Sequence, residues 1–120
     1  MDAAAVAAWV DNYVRAWNSN DPVDIGGLFT DDAVYFTGPF DQAWQGRDTI
    51  VREWLARKDE PGTTTIRNEV LATGPEVGIV RGWTQYHVEP PSEFSNMWLI
   101  RFGADGRCRE FTEWWVEKDS

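Results

Sequence analysis

The sequence predicts an α+β domain in which three helices come first and a sheet of long strands follows. The first half of the chain carries apolar residues at helical spacing, and the second half carries alternating segments rich in Thr, Val and aromatic residues. The last segment, 107–116, places Phe111 and Trp115 on one face of a strand and Trp114 on the other. A strand with aromatic rings on both faces is covered on both sides, so we expect the helices to pack on one face of a curved sheet.

Capping residues set the expected helix limits. Asp2 and Asp21 are suited to cap the first two helices, the second of which has Pro22 at its first position. Asp48 opens the third helix, and the sequence 59–62 closes it. The expected helices span 3–17, 22–29 and 48–58, and the expected strands span 33–37, 63–73, 77–88, 94–102 and 107–116, with a loop at 38–46.

Composition narrows the class of protein. A chain of 120 residues fits one domain, 1–120, and its single cysteine excludes an internal disulfide, as suits a cytoplasmic protein. Neither a basic leader nor an apolar run of membrane-spanning length is present, and a net charge of −9 argues against a nucleic-acid partner. The eight tryptophans predict both a large core and a cavity for a small hydrophobic molecule.

The helices can cover only one face of the predicted sheet. A monomer rarely exposes so large an apolar surface as the other face would carry. We therefore expect a two-fold homodimer through the outer face of the sheet. The residues expected on that face are Val80, Tyr86, Met97, Leu99, Trp114 and Val116.

Four segments carry a resemblance to a known family. They are 17–21 (WNSND), 28–34 (LFTDDAV), 46–50 (GRDTI) and 105–115, which ends in Glu113-Trp114-Trp115. Together they resemble the nuclear transport factor 2-like superfamily, and within it the SnoaL-like branch named for a polyketide cyclase. The resemblance implies a cone-shaped antiparallel sheet wrapped over the helices, with an internal cavity open at one end and dimerisation through the outer face. It does not imply one activity, because this superfamily includes isomerases, cyclases, dehydratases, epoxide hydrolases and binding modules.

The steroid isomerases of the same superfamily provide a residue-by-residue comparison. Their helix-one tyrosine falls on Tyr13, their general-base aspartate on Thr37, and the second acid of their oxyanion hole near Trp98. A threonine hydroxyl is too weak a base to remove an α-proton at neutral pH. The resemblance therefore disfavours steroid isomerisation, unless Asp41, four residues further on in the loop, takes the role of the base.

Strand alternation, with its direction taken from the resemblance, predicts the residues that line the cavity. The expected ligand-binding residues form a mostly aromatic lining with few polar groups, which is typical of a small-molecule site. They are Trp17, Phe40, Trp44, Arg81, Trp83, Asn96, Trp98, Phe111 and Trp115.

Three residues are candidates for catalysis: Glu113, Tyr13 and His87. A carboxylate between Phe111 and Trp115 would be desolvated, which would raise its pKa and suit proton transfer. The alternative is a structural salt bridge from Glu113 to Arg81. Tyr13 would polarise the ligand, and His87 is either a proton shuttle or a partly exposed side chain near a strand end. A single histidine without neighbouring ligands does not predict a metal, and we expect no cofactor.

Two functions remain open from the sequence. The first is a cofactor-free acid–base enzyme of the cyclase, isomerase, dehydratase or hydrolase type, acting on a cyclic or polyketide-like substrate. The second is a non-catalytic module for ligand binding or dimerisation. An inward Glu113 and Arg81 with an open cavity mouth would favour the enzyme, whereas a cavity filled by Trp17, Trp44 and Trp98 would favour the binding module.

Overall fold

The computed structural model describes residues 2–58 and 62–118 and has the predicted α+β plan, with three helices followed by most of the sheet. The end of the third helix was expected at 59–62, of which 59–61 lie outside the described residues. The elements are α1 (Ala3–Ser19), α2 (Pro22–Gly26), β1 (Phe29–Phe36), β2 (Trp44–Gln45), α3 (Arg47–Ala56), β3 (Thr64–Gly74), β4 (Val77–Tyr86), β5 (Ser92–Phe102) and β6 (Cys108–Glu117).

The predicted caps begin the first two helices. The carboxylate of Asp2 accepts a hydrogen bond from the Ala5 N–H at 2.8 Å, and that of Asp21 accepts one from the Val23 N–H at 2.8 Å. Asn20 ends α1 in the left-handed conformation, with φ of 52°. The short α2 ends at Gly26, earlier than expected, because two glycines together weaken a helix.

The sheet is curved, open and mixed rather than antiparallel throughout. Its strand order is β2-β1-β6-β5-β4-β3, and β1 runs parallel to β6 while every other pair is antiparallel. The sequence did not predict β2, a two-residue strand in which Trp44 pairs with Tyr35. The parallel pair places the last strand in the middle of the sheet, so Glu113 lies between β1 and β5.

Helix α1 covers the inner face of the sheet with one continuous apolar stripe. Its buried residues are Val6, Trp9, Val10, Tyr13 and Ala16. The indole N–H of Trp9 donates to the Leu28 carbonyl at 3.0 Å, so its one polar atom is satisfied inside the core. Each large apolar side chain buried in this way contributes roughly 1.5–3 kcal/mol of transfer free energy. Within 2–58 and 62–118, no helix is long and apolar enough to cross a membrane.

The direction predicted for β4 is wrong. Its inner face carries Gly78 and Gly82 alternating with buried Val80 and Thr84, so Arg81 and Trp83 face outward. Glycine is required at both positions because the backbone of β4 lies close to the side chains packed on the inner face, which leaves no room for a Cβ atom. A Cβ at Gly78 would lie 2.7 Å from Val6, and one at Gly82 would lie 2.7 Å from the Trp98 ring. Strand alternation with the predicted direction puts the bulky Arg81 and Trp83 inward, whereas close packing requires the smallest residues there.

The outer face of the sheet differs accordingly from the expected one. Val80 and Tyr86 lie on the inner face, and Ile79 and Trp83 take their place outside. The other four expected residues do face outward: Met97 and Leu99 are half-buried, while Trp114 and Val116 are exposed. Trp83 is stacked against the guanidinium groups of Arg67 and Arg81, whose carbons lie 4.6 and 4.5 Å from the ring centroid.

Candidate functional site

The candidate site is centred on the carboxylate of Glu113, in the middle of the inner face. Glu113 pairs across the sheet with Trp98, and Asn96 is the next inward residue along β5. One carboxylate oxygen, Oε2, accepts hydrogen bonds from the Trp98 Nε1–H at 2.6 Å and from the Asn96 Nδ2–H at 3.3 Å. The carboxylate is therefore held by two N–H donors in a largely aromatic environment.

A threonine on the next strand orients the second donor. The Thr84 hydroxyl donates to Oδ1 of Asn96 at 2.8 Å, and both residues are buried. Because the amide oxygen is occupied, the amide nitrogen of Asn96 faces Glu113. Thr84, Asn96 and Glu113 therefore form a hydrogen-bonded chain across three adjacent strands, β4, β5 and β6.

Burial changes the acidity of Glu113. Desolvation raises the pKa of this carboxyl from its ordinary value of 4.5 to about 6, although the hydrogen bonds from Trp98 and Asn96 act in the opposite direction. A group with a pKa of about 6 exchanges protons readily near neutral pH. The expectation that Glu113 is desolvated between aromatic residues agrees with this environment.

The second oxygen of Glu113, Oε1, has no hydrogen-bond partner within 2–58 and 62–118. Glu113 lines two adjoining pockets, and Trp17 is the other residue that both pockets share. The carboxylate is thus fixed through one oxygen, and the other remains available to a bound molecule.

The first pocket, which we name the strand-side pocket, has a volume of about 300 Å³. Apart from Trp17, it is built from the inner faces of β3 to β6. Its lining residues are Trp17, Ile66, Thr84, Tyr86, Phe94, Asn96, Trp98, Glu113, Trp115 and Glu117.

The second pocket, which we name the helix-side pocket, has a volume of about 170 Å³ and lies between α1, α3 and β1. Tyr35 stacks on Trp44 with ring centroids 4.9 Å apart, and the two rings form one wall. Its lining residues are Trp17, Asn20, Tyr35, Thr37, Trp44, Trp54, Arg57, Lys58 and Glu113.

Two buried tyrosines meet at the wall of the helix-side pocket. The Tyr13 and Tyr35 hydroxyl oxygens are hydrogen-bonded at 2.9 Å. Burial raises the pKa of both phenols well above 10.0, and the nearby Glu113 carboxylate raises each further. Both tyrosines are therefore neutral at physiological pH and available for hydrogen bonding. Tyr35 lines the pocket, whereas Tyr13 is fully buried and does not.

Six of the residues predicted from the sequence come together around the two pockets. Trp17 and Glu113 line both, Trp44 lines the helix-side pocket, and Trp115 lies at the rim of the strand-side pocket, where 54% of its surface is exposed. The complete set is Trp17, Trp44, Asn96, Trp98, Glu113 and Trp115.

Three predicted site residues on β4 and just beyond it do not point into the pockets. Arg81 and Trp83 face outward because Gly78 and Gly82 occupy the inner face. The alternative salt bridge between Glu113 and Arg81 is therefore wrong, since the two side chains lie on opposite faces of the sheet. His87 is exposed, and its Nε2 is hydrogen-bonded to the Thr65 hydroxyl at 2.7 Å.

Three further predicted residues lie near the site without lining it. Phe40 is 100% exposed at the tip of the loop between β1 and β2. Phe111 is fully buried, stacked on Tyr13 and Tyr35 with centroids 5.2 and 4.7 Å away. Tyr13 belongs to the same stack, so Phe111 and Tyr13 support the pocket wall from behind.

The position of the isomerase base is occupied by a hydrogen-bonded threonine. The Thr37 hydroxyl donates to Oδ2 of Asp41 at 2.7 Å. Asp41 itself is exposed and does not line either pocket, although Thr37 lines the helix-side pocket. Asp41 therefore reaches the pocket only through Thr37.

Sequence reasoning missed Tyr35, Thr84 and Trp54 as site residues. Tyr35 alternates with buried Ala33 on β1, and this period-two pattern is visible in the sequence. Thr84 follows from the same alternation once Gly82 is placed inward. Trp54, which recurs at helical spacing with Ile50 on α3, both packs in the core and lines the helix-side pocket.

No metal site is present in the part of the chain that the structure describes, where no group of three or more His, Cys, Asp or Glu side chains converges.

The raised pKa of Glu113 predicts how stability depends on pH. The folded-state pKa lies above the unfolded value, so ionisation of Glu113 costs stability above about pH 6, and the cost disappears as the pH falls below 4.5. Glu113→Gln removes the ionisation and keeps an acceptor for Trp98. We expect the stability of the variant relative to wild type to rise by up to about 2 kcal/mol between about pH 4 and about pH 8. Urea unfolding at each pH measures this difference.

Glu69→Gln is the matched control, because Glu69 is exposed on β3 and the variant loses the same charge. Its stability difference from wild type should be nearly independent of pH over this range. A difference for Glu113→Gln that stays constant with pH would contradict the raised pKa.

The comparisons with known proteins agree with this architecture. The model of the SnoaL-like domain family matches residues 10–111, most of the chain. No curated protein matches the sequence significantly.

Solved structures with the same fold include proteins of different described activities. A ketosteroid isomerase-like protein from Erwinia carotovora atroseptica has 21% identity and a TM-score of 0.70, with 95% of each chain covered. An NTF-2-like protein from Burkholderia xenovorans has 12% identity and a TM-score of 0.75, covering 97% of this chain and 86% of its own. The epoxide hydrolase/cyclase-like enzyme SalBIII, with a role in pyran ring formation in the polyether salinomycin, has 14% identity and a TM-score of 0.73, covering 92% and 89%.

At these identities the structures establish the fold and no more. The family match, the helices and the mixed sheet lead to one conclusion: this chain belongs to the SnoaL-like domain family of the NTF2-like superfamily.

Proposed function

We propose that this protein binds a small cyclic, polyketide-like hydrophobic molecule in the two adjoining pockets and transfers a proton to or from it with Glu113. The reaction needs no cofactor in this proposal. The observation that carries it is the Glu113 carboxylate, held by Trp98 and Asn96 through Oε2 and with a pKa of about 6. Perturbed carboxyl groups inside apolar pockets are frequent in active sites.

The chemistry is assigned to the oxygen without a protein partner. Oε1 of Glu113 would accept a proton from a carbon next to a ligand carbonyl, leaving an enolate. The resulting carboxylic acid would exchange its proton with water and then return a proton to the same or another atom of the ligand. The negative charge that develops on the ligand oxygen requires a hydrogen-bond donor. Tyr35 lines the helix-side pocket and is supported by Tyr13, so its hydroxyl is the proposed donor.

Trp17 supports the binding of an oxygen-bearing ligand. Its indole N–H is buried, and within 2–58 and 62–118 it has no hydrogen-bond acceptor. A buried donor without a partner costs about 1–3 kcal/mol, which a ligand acceptor would recover. Trp17 lines both pockets, so such an acceptor would lie where the two pockets meet.

The second candidate is a binding module without catalysis. Arg81 and His87, two of the polar groups expected beside Glu113, lie outside the pockets, and this favours binding alone. Both candidates require an occupied pocket. They differ in whether Glu113 exchanges a proton with the ligand.

Hydrogen–deuterium exchange separates the two candidates without knowledge of the natural substrate. A panel of cyclic and aromatic ketones is incubated with the protein in D₂O, and loss of the α-proton signal is followed by NMR. We expect enzyme-dependent exchange that Glu113→Gln reduces by about 100-fold or more, because general-base catalysis is worth that much. Binding of the same ketones is measured in parallel by tryptophan fluorescence.

Glu69→Gln, on the exposed side of β3, should exchange protons at the wild-type rate. Binding without exchange would establish the binding module instead of the enzyme. Absence of both binding and exchange across the panel would overturn the proposed function.

For the quaternary state, we propose a homodimer through the outer face of the sheet. Register places Met97 beside Trp114 and Ile79 beside Leu99, so an apolar patch crosses three strands. Trp114 is 41% exposed and Val116 is 69% exposed. Apolar patches of this kind mark interfaces, and the face is self-complementary in a two-fold dimer.

Light scattering should give about twice the chain mass of 13.7 kDa. Trp114→Glu should give a folded monomer, because an unpaired charge in a desolvated interface costs several kcal/mol. Val23→Glu is the control, since Val23 is an exposed apolar residue on α2 and its variant should remain dimeric. A wild-type protein that is monomeric at micromolar concentration would exclude the dimer.

A further inference from the structure

We infer that the ligand of the two pockets carries a carboxylate, and that this group binds Arg57 and Lys58 in the helix-side pocket. The inference rests on the proposed function, since it assumes that a cyclic molecule occupies the pockets. Beyond the proposed function, we infer the charge of that molecule and its orientation across the two pockets.

The guanidinium of Arg57 is held in place before any ligand binds. It stacks over Trp44, with the guanidinium carbon 5.3 Å from the ring centroid. Its Nη1 donates to both the main-chain oxygen and the carboxylate of Glu53, one helical turn earlier. A stacked and ion-paired arginine loses little side-chain entropy when it binds a further group.

Among the described residues, these contacts involve only one of the three nitrogens of the guanidinium. In the described parts of the chain, Nε and Nη2 of Arg57 have no hydrogen-bond partner, since every side-chain hydrogen bond of this residue uses Nη1. Two parallel N–H groups at one edge match the two oxygens of a carboxylate. Arg57 lines the helix-side pocket and not the strand-side pocket, so the bound anion would lie in the former.

Lys58 adds a second positive charge to the same pocket. It lines the pocket beside Arg57 and forms no ion pair with the residues of 2–58 and 62–118. Among the described residues near these cations, Glu53 pairs with Arg57, Asp41 is hydrogen-bonded to Thr37, and Glu113 lines the same pocket. Lys58 therefore contributes the positive charge that Glu53 does not neutralise.

The charges of the strand-side pocket are of the opposite sign. Glu113 lines both pockets, so the charges that differ are Glu117 on the strand side and Arg57 and Lys58 on the helix side. A ligand anion is repelled there and attracted at Arg57, so the two pockets impose one orientation. The anion lies in the helix-side pocket, and the uncharged part of the ligand extends past Glu113 into the strand-side pocket.

The size of the helix-side pocket limits what carries the carboxylate. Its volume is about 170 Å³, and an apolar cavity of about 150 Å³ accepts a benzene ring. Its walls are the rings of Trp17, Tyr35, Trp44 and Trp54. The inferred ligand class is therefore an aromatic or alicyclic carboxylic acid with one ring beside the carboxylate and the rest of its frame beyond Glu113.

The test compares two molecules of nearly the same shape, one with a carboxylate and one with a neutral group in its place. We take 2-naphthoate and its neutral amide, 2-naphthamide, and measure both affinities by calorimetry at low salt. We expect wild-type protein to bind the carboxylate about tenfold more tightly than the amide, as one additional charge-assisted contact would give. Raising the salt concentration from about 0.05 M to about 0.5 M should reduce this preference, because both cations are partly exposed.

Variants assign the preference to the two cations. Arg57→Gln should bring the two affinities within about twofold of each other, and Lys58→Gln should reduce the preference by a smaller factor, because Lys58 offers no planar edge. Arg15→Gln is the charge-matched control, since Arg15 lies on α1 and lines neither pocket. Its carboxylate preference should equal that of wild type.

The possible results distinguish failure of this inference from failure of the proposed function. Equal affinity of wild type for the carboxylate and the amide overturns the inference and leaves the proposed function standing. A carboxylate preference that survives in Arg57→Gln also overturns it, because the anion is then bound elsewhere. Absence of binding by both molecules counts against the proposed function itself, and the inference is lost with it.

Discussion

The structure depends on placing one carboxylate, that of Glu113, on the buried face of the central strand. Removing a charge from water is unfavourable, and the site compensates only in part, through the N–H groups of Trp98 and Asn96 on a single oxygen. The pKa of Glu113 is raised because these two hydrogen bonds offset only part of the desolvation cost of the carboxylate. A third hydrogen-bond donor to the carboxylate would stabilise the fold and lower the pKa of Glu113 towards its ordinary value. The proton transfer proposed for Glu113 therefore depends on incomplete solvation of its carboxylate.

The aromatic residues give the site its rigidity. Tyr35 lies between Trp44 and Phe111, with centroids 4.9 and 4.7 Å away, and Tyr13 lies on the other side of Phe111. Stacked rings of this kind have few alternative rotamers and exclude water, which maintains the low dielectric around Glu113. The same stacked rings hold the Tyr13 and Tyr35 hydroxyls within hydrogen-bonding distance of each other. One group of side chains therefore both packs the core beside the site and positions its hydroxyl groups.

Local signals predicted much of the fold. The caps Asp2 and Asp21 and the turn at Asn20 act through neighbouring backbone groups, so they can be recognised from sequence alone. Alternation on β6 placed Glu113 inward correctly, because no bulge interrupts its pairing with β5 near that residue.

Long-range contacts explain what the sequence did not predict. Nothing local to β4 indicates that Gly78 and Gly82 face Val6 and Trp98, and this one fact turned Arg81 and Trp83 outward. The parallel pairing of β1 with β6 likewise joins segments far apart in the chain, as does the contact between the Tyr13 and Tyr35 hydroxyls. The predicted site was therefore most accurate on β5 and β6 and least accurate on β4.

Glu113 takes up and loses its proton near neutral pH because its carboxylate is incompletely solvated. Carbon-13 NMR of the glutamate side-chain carboxyl groups measures this directly, with the Glu113 resonance assigned by its absence in Glu113→Gln. We expect a titration midpoint at about pH 6. A midpoint at or below 4.5, the ordinary value for glutamate, would contradict it.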